Sequence, residues 1–224
     1  MCLVAIALGQ HPRFPLVLAS NRDEFLGRPA APLAWWTPEG GGPEILGGRD
    51  LQSGGTWLGL SRGGRLALVT NVREPDHDNA AAPSRGALVP RWLRGDDDFA
   101  TSWPEIEAAR HNGFNLIAAD LRRSTWHWAS NAAALAGAPP QRLGSGLYGV
   151  SNAALDTPWP KTQALKARVG TALAAATDVD ALTAALFAAL ADQRLAADDQ
   201  LPRTGIALEW ERQLSAAFIR TPDG

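Results

Sequence analysis

The sequence predicts an α+β fold, with strands concentrated in its earlier part and helices in its last third. Two observations carry that expectation. Short apolar runs bounded by glycine- and proline-containing turns recur from residue 3 to residue 151. Residues 161–176 and 179–196 are instead rich in alanine and leucine, with apolar positions three and four apart, which is the period of a helix face.

Taken in order, residues 3–8 and 16–20 read as strands around GQHPRF, whose glycine and proline make a turn. Residues 28–55 are too rich in proline and glycine for regular structure; a loop that long reads as a lid or pocket wall. Residues 56–61 and 65–70 flank Arg62-Gly63-Gly64 as a hairpin. Residues 84–94 read as a short helix bent or delayed by Pro90. Residues 100–110 read as another, with Pro104 tolerated only near its first turn. Residues 114–119 and 125–129 are strands around DLRRS, and Trp126 and Trp128 share one face by strand spacing. Residues 147–151 form a further short strand. Asp178 is placed to cap the second of the two late helices. Residues 216–220 read as a strand and TPDG as a turn with no returning strand. Because unpaired edges are usually avoided, the chain is expected to lack its natural C-terminal strand.

At 224 residues the chain is expected to form a single domain over 1–224, large enough for a two-layer core. With 21 basic against 23 acidic residues and no long run of either sign, it lacks the electrostatic footprint of a nucleic-acid binder. One cysteine excludes an intramolecular disulfide and points to a reducing compartment. The apolar N-terminal stretch is too short to span a membrane and has no basic n-region, so a cytoplasmic protein is expected. The four histidines are scattered without metal-ligand spacing, so no metal is expected. Nine tryptophans against one tyrosine are expected mainly to fill core rather than to line a pocket.

That single cysteine, Cys2, sits directly behind Met1. Its side chain is small enough for methionine aminopeptidase to remove Met1, leaving a terminal cysteine with thiol and α-amine on one residue. Such an amine titrates at roughly pH 7.7–8.0, so part of it is a free base at neutral pH. Thiol and base together make the self-contained nucleophile of N-terminal nucleophile hydrolases. The other reading, a small buried residue opening a strand, stands beside it. The densest polar cluster, Asn21-Arg22-Asp23-Glu24, follows the second strand. It reads either as a solvated turn or as polar groups delivered to a site beside the first strand. In the second case Asp23 orients the Cys2 amine, while Arg22 balances its charge or holds a substrate carboxylate. Asn71, closing residues 65–70, and Asn152, after residues 147–151, are turn residues or amide donors to a developing oxyanion.

The blocks MCLVAIAL, LVLASNRDEFLGRPAAPLAWW, GGRDLQSGGTWLGLSRGGRLALVTNVRE, SRGALV, NGFNLIAAD, YGVSNAALDTPWPK and LPRTGIALEWERQLSAAFIR together resemble the NRDE family, also called the transport and Golgi organisation protein 2 family. The likeness is collinear over nearly the whole chain. That family resembles N-terminal nucleophile hydrolases of the choloylglycine hydrolase and penicillin acylase branch. The resemblance implies a four-layer αββα sandwich of that type. It implies Cys2 as nucleophile, Asp23 as the amine-orienting carboxylate, and Asn71 and Asn152 as oxyanion donors. Asn21 matches the same Asn-x-Asp motif, and Asn21, Arg22 and Glu24 are expected on the substrate-binding side. Ser20 stands where the branch has a catalytic arginine, and Arg22 is a candidate to compensate. A late active-site arginine is expected beyond TPDG, and Arg220 is not assigned that role.

Two functions follow from the resemblance. One is a cysteine hydrolase cleaving a linear amide or related acyl bond of a small molecule, without a cofactor. The other is a non-catalytic carrier on the same fold that binds haem or an acyl-CoA or lipid, in keeping with the family's links to haem trafficking and lipid metabolism. In both, the partner is a small molecule; oligomeric state is not legible in the sequence.

Overall fold

A computed structural model describes residues 2–95 and 97–222. Met1, Asp96, Asp223 and Gly224 lie outside the described residues, and with them the end of the expected TPDG turn and the processing of Met1. Contacts divide the chain into two compact units. One joins the residues up to Phe25 with those from Gly144 onward, and the other is Leu26–Leu143. Strands and helices are both well represented, as the predicted α+β class requires.

The first unit is built on an antiparallel three-stranded sheet of β1 (Cys2–Leu8), β2 (Leu16–Arg22) and β10 (Gly146–Val150), with β1 in the centre. Alternation along β1 sends Leu3, Ala5 and Ala7 to one face, where they pack with Val17 and Ala19 of β2. That face is covered by α3 (Pro160–Ala175) and α4 (Val179–Leu190). Leu165, Val169, Ala172 and Leu173 of α3 follow a helical period and meet the strand residues directly. Cys2, Val4, Ile6 and Leu8 point to the opposite face and are buried too. A strand apolar at every position is therefore a strand covered on both sides.

The second unit is a seven-stranded antiparallel meander in chain order. Its strands are β3 (Ala30–Trp36), β4 (Ile45–Asp50), β5 (Leu58–Ser61), β6 (Arg65–Asn71), β7 (Phe114–Asp120), β8 (Thr125–Ser130) and the two-residue β9 (Gln141–Arg142). Two helices, α1 (Leu88–Arg94) and α2 (Phe99–Ala108), contribute Leu88, Val89, Trp92, Phe99, Trp103 and Ile106 to one core with Ala67, Val69, Leu116 and Ala118.

Four expectations are corrected. Residues 28–55 are not irregular, because β3 and β4 pair within them. Pro32 is accommodated at a register shift on the edge strand of the sheet, where a missing N–H costs no ladder bond. Pro104 lies in the second turn of α2, not the first, and on its exposed side, so the carbonyl it leaves unbonded is not shut in the core. The second late helix stops at Leu190, short of residue 196. There the Asp192 carboxylate turns to Arg168 and Arg194, and its carbonyl accepts from the Phe218 N–H. Residues 216–220 form no strand. They follow a short helix that the sequence reading missed, α5 (Leu208–Gln213), and are held by isolated bonds rather than by a ladder.

The tryptophans divide more evenly than a core role requires. Trp92, Trp103 and Trp126 are buried, whereas Trp35 and Trp210 are exposed. Trp35 lies under the Arg62 guanidinium, 4.0 Å from its carbon, a cation–π contact that suits a partly wet indole.

Candidate functional site

The end of β1 is where the polar residues of the first unit gather. Register pairs Cys2 with Arg22 and Leu3 with Asn21. Since side chains of paired residues share a face, Arg22 stands on the Cys2 side of the sheet and Asn21 on the helix side. Asn21 accordingly donates both amide hydrogens, to the Leu190 and Ala217 carbonyls at 2.8 Å each. It thereby ties the end of α4 and the last buried segment to β2. Its donors are committed to structure.

Arg22 pairs with Glu24 at 3.3 Å. Asp23 turns inward with 9% of its side chain exposed, and the Lys161 ammonium lies 3.7 Å from its carboxylate. Lys161 was not foreseen. It is the second residue of α3, 3% exposed, and comes from the block YGVSNAALDTPWPK. No local signal marks it: α3 also carries Lys166 and Arg168, and a lysine in the first turn of an amphipathic helix reads as solvated.

The loop before α3 is braced by its own residues. The Asp156 carboxylate accepts the Gly149 N–H at 2.8 Å, while the Asp156 N–H donates to the Gly149 carbonyl at 2.7 Å. Asp156 holds a left-handed backbone with φ 57° and also takes the Lys166 ammonium at 2.6 Å. Gly149 is required here, because a Cβ would stand 2.6 Å from Cγ2 of Thr162. The loop is thus pinned to β10, and α3 starts against that strand. Ser151 donates its hydroxyl to the Cys2 carbonyl at 2.9 Å, with Oδ1 of Asn152 3.2 Å from the same hydroxyl. Asn152 itself is 1% exposed.

Cys2 is free and buried. Burial pushes its thiol above the ordinary cysteine range. The Asp23 charge acts in the same direction, while Arg22 and Lys161 pull it back. The first unit therefore brings together Cys2, Arg22, Asp23, Glu24 and Asn152 among the residues singled out from sequence, and adds Lys161. Asn71 belongs to the second unit, at the end of β6 opposite Phe114. Chemically, the cluster of the first unit has a buried thiol, a buried carboxylate, two side-chain cations and a buried amide at one strand end.

The sequence profile of the family described as Transport and Golgi organisation 2 matches residues 1–224. The Transport and Golgi organization protein 2 homolog of Bos taurus is 36% identical, across 100% of this chain and 84% of the relative. The homolog of Homo sapiens is 39% identical, across 72% of this chain and 60% of the relative. Among solved structures, penicillin V acylase from Agrobacterium tumefaciens aligns with a TM-score of 0.43 and 11% identity, over 92% of this chain and 74% of that one. No helix among the described residues is long and apolar enough to cross a membrane.

Proposed function

The chain belongs to the Transport and Golgi organisation 2 family, and from the cluster at the end of β1 we propose that it is a cysteine N-terminal nucleophile hydrolase acting on a linear amide or related acyl bond of a small molecule. A four-layer αββα sandwich, a cytoplasmic location and Asn71 as an oxyanion donor belong to the same proposal. The observation that supports it is the convergence of Arg22, Asp23 and Asn152 on a buried cysteine that removal of Met1 would make the first residue.

In the reaction so proposed, Sγ of Cys2 attacks the acyl carbon and its proton passes to the α-amine. Asp23 holds that amine in place, and the amide of Asn152 stabilises the oxyanion. The ammonium then protonates the departing nitrogen as the carbon–nitrogen bond breaks, leaving a thioester. Water, deprotonated by the same amine, hydrolyses the thioester and restores the thiol. Arg22 and Glu24 flank the entry for substrate.

Two measurements test this. Intact mass of tag-free protein is expected to lack Met1. On that protein, Cys2→Ala is expected to abolish turnover of a panel of acyl amides; undiminished turnover by the purified variant would falsify the proposal. Abolition here means a loss on the order of 10³-fold or more, as for removal of a catalytic nucleophile.

One observation favours a second reading. Burial holds Cys2 in its protonated form, a disadvantage for attack that a binding protein does not bear. On that reading the chain carries haem or an acyl-CoA or lipid. Titration with haemin and with palmitoyl-CoA, followed by tryptophan quenching, separates these ligands; saturable quenching together with an inert Cys2→Ala comparison would select the carrier.

A further inference from the structure

A buried lysine is costly, because its ammonium loses the water that solvated it. Lys161 is 3% exposed and sits 3.7 Å from the Asp23 carboxylate, at the start of a helix whose position is set by the Asp156–Gly149 clasp. A methionine would fill the same space without that cost. The charged groups that act on Cys2 are the chain's terminal amine, Arg22 and Asp23 from the end of β2, and Lys161 from α3; the loop after β10 contributes the uncharged Ser151 and Asn152. Ionising the thiol adds a negative charge beside the Asp23 carboxylate, in a place from which water is largely excluded. Of the two side-chain cations, Arg22 is engaged by Glu24 and Lys161 lies against Asp23.

We propose that Lys161 is a positioning residue for Cys2: its ammonium fixes the Asp23 carboxylate and supplies the counter-charge under which the buried thiol ionises. The direction of its effect on the thiol agrees with this, since Lys161 pulls the thiol down against burial and against Asp23. The inference rests on the reading of Cys2 as nucleophile, and it assigns the activation of that nucleophile to α3 as well as to the chain's own amine.

The test uses the fact that the chain has one cysteine, so iodoacetamide reports on a single sulfur. Its second-order rate is followed from about pH 6 to about pH 11 on tag-free protein, which extends well above the ordinary thiol range. In Lys161→Met the midpoint is expected to rise by about one unit, and the rate at neutral pH to fall about tenfold. Lys161→Arg is expected to recover most of the rate. A folded Lys161→Met whose profile overlays the wild type overturns the inference. If Lys161→Met does not fold, the comparison moves to Asp23→Asn and Asp23→Asn/Lys161→Met, where no buried carboxylate is stranded. The double variant is expected to show a midpoint about one unit above the single one, and equal midpoints overturn the inference. Turnover plays no part in this readout, so failure of the hydrolase reading in Cys2→Ala is seen separately.

Discussion

In the unit spanning Leu26–Leu143, the buried Arg65, Asp50 and Asn115 side chains end on partners from their own surroundings. Arg65 reaches the Trp92 and Asp97 carbonyls at 3.2 and 2.6 Å and stacks on Trp92. Asp50 closes the turn after β4 with Arg28 and the N–H groups of Gln52 and Ser53. Asn115 bridges Thr70 and Trp128. At the end of β1 in the other unit, Arg22, Asp23 and Lys161 crowd a thiol, and the Lys161–Asp23 pair joins the end of β2 to the start of α3. Buried polarity that completes a turn or ladder has a structural explanation on its own terms. A buried ion pair beside a sulfur also bears on how that sulfur titrates, which makes the strand end a candidate site.

The sharpest way to break this contrast is through Arg65. Arg65→Met keeps the apolar stem but removes both guanidinium donors to the Trp92 and Asp97 carbonyls and the stacking on Trp92. It is expected to lower stability by about 2–3 kcal/mol, read from the urea midpoint at constant slope. A loss below about 0.5 kcal/mol would mean that such closed local bonds are not what stabilises the second unit, and the contrast would fall.

Gly149→Ala sharpens the other side. Its methyl would meet Thr162 and Lys166 where α3 lies against β10. A cost of about 1–2 kcal/mol is expected from the forced shift. Because the same shift moves Lys161, iodoacetamide labelling of Cys2 should slow severalfold in the folded variant. Lost stability with unchanged labelling would detach α3 from the chemistry of Cys2.

How much of this was legible beforehand follows from what each signal depends on. β1, β2, β6, β7, β8 and β10 are contiguous apolar runs between turn residues, and their periodicity is written locally. Asp178 as a cap was equally local, and its carboxylate does accept the Ala181 N–H. β3 and β4 were hidden because Pro32 and the glycines argue against strands unless one knows that β3 is an edge. Pairing decides that, and pairing is not in the local sequence. Asn21 and Asp23 were singled out together, yet Asn21 lies within β2 while Asp23 lies past its end, where its carboxylate meets Lys161. The register of β2 against β1 turns Asn21 into a tie to α4. Lys161 escaped notice because its partner lies more than a hundred residues away in the chain, and nothing local to Trp159-Pro160-Lys161 announces a buried charge.

The smallest expected effect concerns the Asp50 turn. Burial alone would raise the carboxyl of Asp50. The Arg28 guanidinium and the N–H groups of Gln52 and Ser53 outweigh it and hold the carboxyl below its ordinary value. A carboxyl lowered on folding stabilises the protein fully above its unfolded pKa, and that contribution is lost as pH falls through the lower folded value. Asp50→Asn should therefore cost about 1 kcal/mol near neutrality, where the charge-assisted bonds are lost. The difference between variant and wild type should shrink as pH drops below about 4, where the wild-type carboxyl begins to lose its advantage. Urea unfolding at a series of pH values reads this directly. A gap that stays constant down to acid would show that shape, rather than charge, closes the turn after β4, and Asp50 would then leave the set of buried polar groups that distinguishes the second unit from the first.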